Sequence, residues 1–356
     1  MPRLAALDAL RGPTILLTLL VNNVALDTAT PDQLTHAAWG GVNLADLVFP
    51  WFLFCMGASI PLSASSRATG KVNLSRYFLR VSQRSLVLFG LGLFLTSSLA
   101  HRPIFALDVL QLIALAYWLA AVLYTLPGWT RGLLAGVLLL GYWMAVRYLP
   151  VPGIGTGVFE LDRNLLLHLN KTYLAPLGLR GLVSVVPTAV LALIGGLVMG
   201  WLRQGIRSSV NTDRLWNGLL LIGTILLAIG LLWSRELPFS KTYWTPSYVL
   251  LSAGLATAIL GVFYFMFDMM RFRALAYLLV VPGSNALFAY IAPILFKVWI
   301  LQGWQLGNTS IQQAWQSALV TRYGSIPGGW IYTLSYILLW WIVRWLLYLK
   351  RIFLRV

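Results

Sequence analysis

The chain carries one cysteine, Cys55, in 356 residues. It therefore has no internal disulfide and is not a secreted disulfide scaffold. Histidine is nearly as scarce, at three, and Asp plus Glu number only ten. Charged residues make up 10% of the chain, against about 25% in an ordinary soluble domain. That shortage excludes a soluble globular fold and a disordered polyelectrolyte alike. Three scattered histidines and one cysteine give no zinc-ligand spacing, no metal is expected, and no Walker loop or Ser/His/Asp pattern is present. The ten acids are too dispersed for a proton relay.

What fills the chain instead is apolar: 59% hydrophobic residues with 16 Trp and a mean hydropathy of +0.79. There are 26 Lys and Arg, giving a formal net charge of +16. A basic balance can mark a nucleic-acid partner, but with long apolar runs it reads as lipid contact, and no nucleic acid is expected. A bilayer core of about 30 Å takes roughly 20 apolar residues per helix. Ten runs fit, near 12–27, 45–65, 83–100, 106–126, 131–149, 182–202, 214–233, 246–268, 283–301 and 328–349. The first is short and the ninth contains Lys297. Residues 274–281 read as a re-entrant or interfacial piece before Pro282. The first run begins near Pro13, behind Arg3, Asp8 and Arg11, and reads as a span rather than a cleaved signal. The expected fold is an all-α integral membrane protein of about ten transmembrane helices in one multipass domain over 1–356.

Charge orients the helices. With the N-terminus cytoplasmic, 17 Lys and Arg fall on inner segments and 8 on outer ones, and Lys297 completes the 26. The positive-inside rule then places both termini inside. The long connections 27–44, 150–181 and 303–327 lie outside, where long ordered loops often carry function. Gly153-Ile-Gly-Thr-Gly157 has neither the strand nor the Lys-Ser/Thr of a phosphate loop and reads as a turn.

Chemistry is concentrated between Asn22 and Gly57. His36 lies in the outer loop before the second helix. Imidazole serves as acid, base or nucleophile near neutral pH, and a surface-loop histidine is the plain alternative. Asp46 opens the second helix, where a carboxylate caps free amides. Capping is compatible with orienting His36 through a hydrogen bond. Asn22, beside Asn23 at the outer end of the first helix, can stabilise an oxyanion or simply bond a neighbouring helix. On the inner side Arg67, Lys71, Arg76, Arg80 and Arg84 form an acid-free run, with the last three on one helical face. That run is a topology determinant on anionic lipid or a site for a phosphorylated donor. Asp8 and Arg11 are spaced to pair. Asp108 and Gln111 start the fourth helix, Lys241 and Trp244 precede the eighth, and Asn285 begins the ninth. Each is a helix anchor or a ligand contact. Lys297 snorkels or pairs with a helix carbonyl, or else marks a transporter pathway.

Several strings together carry a resemblance. They are Leu7-Asp-Ala-Leu-Arg11-Gly12, Leu20-Val-Asn22, His36-Ala-Ala-Trp39-Gly-Gly and the long Asp46-Leu-Val-Phe-Pro-Trp-Phe-Leu-Phe-Cys-Met-Gly-Ala-Ser-Ile60. Weaker echoes are Val109-Leu-Gln111, Gly181-Leu-Val-Ser-Val-Val-Pro187, Lys241-Thr-Tyr-Trp244 through Leu250, and Pro282-Gly-Ser-Asn285. Over nearly its whole length the chain resembles the heparan-α-glucosaminide N-acetyltransferase family, with its bacterial NagX-type members. The resemblance implies a multipass acetyltransferase of the bacterial inner membrane. It would move acetyl from cytosolic acetyl-CoA to an amino sugar on the outer side, and homodimerisation is compatible with it. It places the essential loop histidine on His36 and the asparagine on Asn22. The candidate substrate contacts are Trp39, Asp108, Lys241, Trp244 and Asn285, and the candidate donor contacts are Arg11, Gln111 and the inner run. The chain departs from the family pattern at Leu112, Gly178–Gly181 and Ser240, which leaves the acceptor open. A sugar permease on the same scaffold and an O-acyltransferase of envelope glycans are the rival readings.

Overall fold

The computed structural model describes residues 4–65 and 74–353. Thirteen α-helices follow one another: α1 Ala5–Asn23, α2 Leu44–Ser65, α3 Leu74–Leu99, α4 Val109–Leu123, α5 Gly128–Tyr148, α6 Leu165–Leu169, α7 Val185–Arg207, α8 Thr212–Trp233, α9 Pro246–Phe263, α10 Arg273–Gly283, α11 Ala286–Leu295, α12 Ile311–Tyr323 and α13 Ser325–Leu349. The strands among the described residues are two short ones, β1 Gln305–Leu306 and β2 Thr309–Ser310, paired antiparallel. The protein is an all-α multipass membrane protein. Among the described residues eight helical segments are long and apolar enough to cross a bilayer, and a ninth candidate is bent by 58° between α10 and α11. The 15-residue α4 is apolar but shorter, about 22 Å at 1.5 Å per residue. All ten apolar runs thus coincide with helices. Residues 274–281 form most of α10, an 11-residue helix.

The chain divides into two compact units. The first comprises residues 1–37, 43–49 and 266–355; the second, residues 38–42 and 50–265. In the first, α1 packs against α10, α11 and α13, and α12 lies on α13. The approach of α1 to α10 needs glycine: a Cβ on Gly12 would stand 1.8 Å from the Leu279 carbonyl oxygen. The free amides at the start of α1 are met by Asp268, whose two carboxylate oxygens accept from Ala5 N at 3.1 Å and Ala6 N at 2.9 Å.

In the second unit α7 is the axis. Residues Pro187 through Gly196 are all buried, as expected of a helix that is apolar all round. It packs against α4, α5, α8 and α9, and it meets α2 through small residues. A Cβ on Gly57 would stand 1.8 Å from the Ala192 carbonyl oxygen, and one on Gly195 2.3 Å from that of Phe54. Membrane helices that lack a hydrophobic drive to associate rely on such close backbone approach. Gly57→Val therefore has to force α2 from α7. Overpacking of this kind costs roughly 1–3 kcal/mol where the backbone can shift. The expected result is a marked fall in Tm and a loss of monodisperse protein by fluorescence size-exclusion. Gly90→Ala is the control: it lies exposed on α3, where a Cβ meets nothing within 4 Å, and it should leave both readouts as in wild type.

The connection 303–327, read from sequence as an outer loop, holds α12. Its 13 residues alternate Gln, Ser and Ala with apolar positions, so no hydropathy window detects them. The start is nonetheless written in the sequence: Ser310 and Gln313 form a reciprocal capping box. In 150–181 the three glycines 153, 155 and 157 all have positive φ and turn the chain, as expected for a glycine-rich turn.

Candidate active site

The start of α2 is organised around one carboxylate. Asp46 is 3% exposed. Its Oδ2 accepts from Ala37 N at 3.0 Å and Asn43 N at 3.1 Å. Its Oδ1 lies 2.8 Å from His36 Nδ1. An ionised carboxylate only accepts hydrogen bonds, so with Asp46 ionised Nδ1 is assigned as the donor, which in a neutral ring leaves Nε2 as the basic nitrogen. The imidazole side chain is 59% exposed while the carboxylate beneath it is 5% exposed. A buried acceptor thus holds one nitrogen of a largely exposed ring. The loop is pinned further by Asn43 Nδ2, which donates to the Asp32 carbonyl at 2.7 Å, and by Leu44 N, which donates to Gln33 Oε1 at 3.0 Å. The helix-cap role and the His-orienting role of Asp46 coexist.

Asn22 lies exposed near the last turn of α1. Residues 24–43 join α1 to α2 between two successive spans, so Asn22 and His36 belong to the same membrane face. The Asn22 carbonyl accepts from Lys297 Nζ at 2.9 Å. Lys297 sits in a π-helical stretch, Phe296–Gln302, that continues α11, and it places an ammonium at the negative end of the α1 dipole. Pairing with a helix carbonyl is one of the two structural roles expected for it. The neighbouring Asn23 is the buried member of the pair: its Nδ2 donates to the Leu19 carbonyl at 2.8 Å, and its Oδ1 has no hydrogen-bond partner among the described residues.

Trp39 belongs to the second unit, where it joins a cluster the sequence reading missed. Its ring lies 5.0 Å from Phe159 and 6.0 Å from Tyr243, and those two are 6.0 Å apart. A backbone bridge from Gly40 to Phe239 ties this segment to the turn holding Tyr243. Tyr243 stands inside the Lys241–Leu250 string, so the signal was present. Phe159 gave none, lying in a loop without a motif.

The other candidates lie elsewhere in the fold. Asp108 caps α4 by accepting from Val109 N at 2.8 Å. Lys241 is half-buried in the turn before α9, and Trp244 is 3% exposed against Tyr248. Gln111 is wholly buried, donating from Nε2 to Thr96 Oγ1 at 3.1 Å, with no partner for its Oε1 among the described residues. Trp244 and Gln111 thus lie in the packed interior of the second unit. Asn285 lies at the inner end, where the charge count puts the start of the ninth run. Its Nδ2 donates to the Ile352 carbonyl, and Gly283 two residues earlier approaches the Asp8 carbonyl. That is the opposite end of α1 from Asn22, because one continuous helix separates them.

On the basic side, Arg11 Nη1 meets Asp8 Oδ1 at 3.0 Å, the pairing expected from spacing. Arg76 and Arg80 are on the first turns of α3, and Arg84 lies with its guanidinium 4.9 Å from the Tyr117 ring centroid. Arg67 and Lys71 lie outside the described residues. The departures from the family strings have local roles. Gly178 and Gly181 take positive φ of 72° and 91°, and Ser240 Oγ accepts from Tyr243 N.

Fold and site together define a class: a multipass helical membrane protein with a carboxylate-backed histidine on the loop before its second span. Comparison with known proteins narrows this. A domain of unknown function (DUF5009) matches residues 3–126. The chain is similar to the human heparan-alpha-glucosaminide N-acetyltransferase, 24% identical over 99% of this chain and 60% of that protein. It is 23% identical to the Mus musculus protein of the same name, over 99% of this chain and 60% of the relative. The chain thus spans about 60% of the length of the curated relatives it matches. The resemblance seen in the strings extends along nearly the whole chain.

Proposed function

We propose that the protein is a transmembrane N-acetyltransferase, acting as one multipass module in a bacterial inner membrane. It takes acetyl from cytoplasmic acetyl-CoA and transfers it to the amino group of a glucosamine-type sugar on the outer side. The observation that carries this reading is the His36–Asp46 contact of 2.8 Å; with Asp46 as ionised acceptor, Nδ1 donates and the neutral ring offers Nε2 as a base. The names of the similar human and mouse proteins support it.

In the direct route, His36 Nε2 takes a proton from the acceptor nitrogen as that nitrogen attacks the thioester carbonyl. A C–N bond forms and the carbonyl oxygen becomes an oxyanion, for which Asn22 is the donor. The C–S bond then breaks and the coenzyme A thiolate receives the proton from imidazolium. Asp46 offsets the imidazolium charge between the two steps. Coenzyme A phosphates would meet Lys and Arg side chains of the inner segments.

The test is purified protein in sealed proteoliposomes with acetyl-CoA on one side and glucosamine on the other. N-acetylglucosamine and free thiol should appear in equal amounts. An acetyl ester on a hydroxyl would turn the reading to O-acylation. Folded protein that transfers to neither amine nor alcohol would refute it.

A further inference from the structure

Arg344 is the largest fully buried side chain among the described residues, at 0% exposure. It lies within α13, one turn beyond Trp340, in an apolar part of the first unit. Its Nε donates to the Trp340 carbonyl at 2.8 Å. Both terminal nitrogens, Nη1 and Nη2, are buried and have no hydrogen-bond partner among the described residues. A guanidinium stays charged, and a charge inside a membrane span is costly unless something answers it. The two nitrogens form the flat fork that grips phosphate or carboxylate in two parallel bonds.

The chain's own acids do not fill that fork. Asp8 is engaged with Arg11, both Asp268 oxygens hold amides of α1, and Asp46 holds His36. Asp27 and Asp32 are exposed in the connection 24–43. The level of Arg344 follows from two contacts. Thr333 Oγ1 meets the Asn23 carbonyl at 3.3 Å, and Trp341 Nε1 meets the Leu278 carbonyl at 3.4 Å, beside the Leu279 that faces Gly12. α1 and α13 therefore run in opposite directions. Eleven residues along each is about 16 Å, which brings Arg344 level with Gly12 and Arg11, far from the Asn22 end.

We propose that Arg344 is the buried anchor of a binding site for a phosphate-bearing ligand at the Arg11 level of the first unit. Its fork takes two phosphate oxygens in a setting where water does not compete. Arg76 and Arg80, near the start of α3, are more open to water and lack that advantage. The phosphate can come from coenzyme A, in which case the site deepens the acyltransferase reading, or from a phospholipid headgroup, in which case it does not depend on that reading.

The test compares wild type with Arg344→Met and Arg344→Lys, full chain, in nanodiscs. Calorimetry measures CoA and pantetheine, which shares the thiol arm and lacks the phosphates. Native mass spectrometry measures phosphatidylglycerol retained from mixed nanodiscs. Removing one partner of a buried charge pair is a large loss, so Arg344→Met should weaken one of the two phosphate ligands on the order of tenfold or more. Pantetheine binding should not change. Arg344→Lys, which keeps the charge and loses the fork, should fall between. Loss of CoA identifies the nucleotide as the source; loss of phosphatidylglycerol identifies lipid. If Arg344→Met does not fold, Arg344→Gln with Arg344→Lys makes the same comparison. Variants that bind CoA and retain phosphatidylglycerol as wild type does would overturn the proposal. No readout requires turnover, so an inactive protein with Arg344-dependent phosphate binding would sink the acetyltransferase reading alone.

Discussion

His36→Ala should lower kcat for acetyl transfer by about 10²–10⁴-fold, the usual contribution of a positioned general base, or about 3–5 kcal/mol of barrier. The expectation rests on what is lost and what is kept. The ring is lost, and with it the basic nitrogen that the Asp46 contact defines. The loop is kept, because its anchors are Asp46 with Ala37 N and Asn43 N, and Gln33 with Leu44 N, none of which uses the imidazole. The half-exposed ring also packs too little to matter for stability, so Tm should hold within a few degrees. Binding of acetyl-CoA should be unchanged, which separates a catalytic loss from a binding loss. Added imidazole should restore part of the rate, since the exposed position admits a small base. Full activity in His36→Ala would eliminate both the general-base route and a route through acetyl-histidine. Acetyl trapped on His36 from donor alone would replace the direct route by the two-step one.

The spans were legible because a bilayer demands one kind of sequence. About 20 apolar residues must be contiguous, and each of the ten runs answers to a helix. α12 escaped because it is a polar helix whose signal was a cap, Ser310 to Gln313, and not a run. The His36–Asp46 contact was legible as a compatible pair of roles, since both residues precede or open the same helix. The aromatic cluster was only half legible: Trp39 and Tyr243 stand in strings, whereas Phe159 is recruited by folding from a distant loop. Arg344 was hidden for a different reason. Counted by position, it was one more inner cation near the end of the last span. Only the folded structure shows that its head is enclosed. The end of the bundle that Asn285 reaches follows from alternating the spans, whereas its bond to the Ile352 carbonyl is announced by no string.

Asp46→Asn isolates the orienting role from the capping role. The amide oxygen can still accept from Ala37 N or Asn43 N, so the start of α2 keeps most of its cap. The side chain now has an NH₂ to offer where His36 needs an acceptor. The amide donates to Nδ1, the ring proton moves to Nε2, and the nitrogen that served as base becomes a donor. In a serine hydrolase triad the equivalent change costs about 10⁴ in kcat with the geometry intact. At the more open His36 ring, about 10²–10⁴ is expected, with little change in Tm or in acetyl-CoA binding. Asp46→Ala should differ in kind: it removes the acceptor and the cap together, and losing a cap alone costs about 0.5–2 kcal/mol of stability. The decisive signature is the imidazole itself. In ¹⁵N-histidine spectra at a pH where the ring is neutral, wild-type His36 should show its proton on Nδ1, and Asp46→Asn should show it on Nε2. An unchanged tautomer with normal kcat would reduce Asp46 to a helix cap, and the 2.8 Å contact with His36 would then be a consequence of capping rather than its purpose.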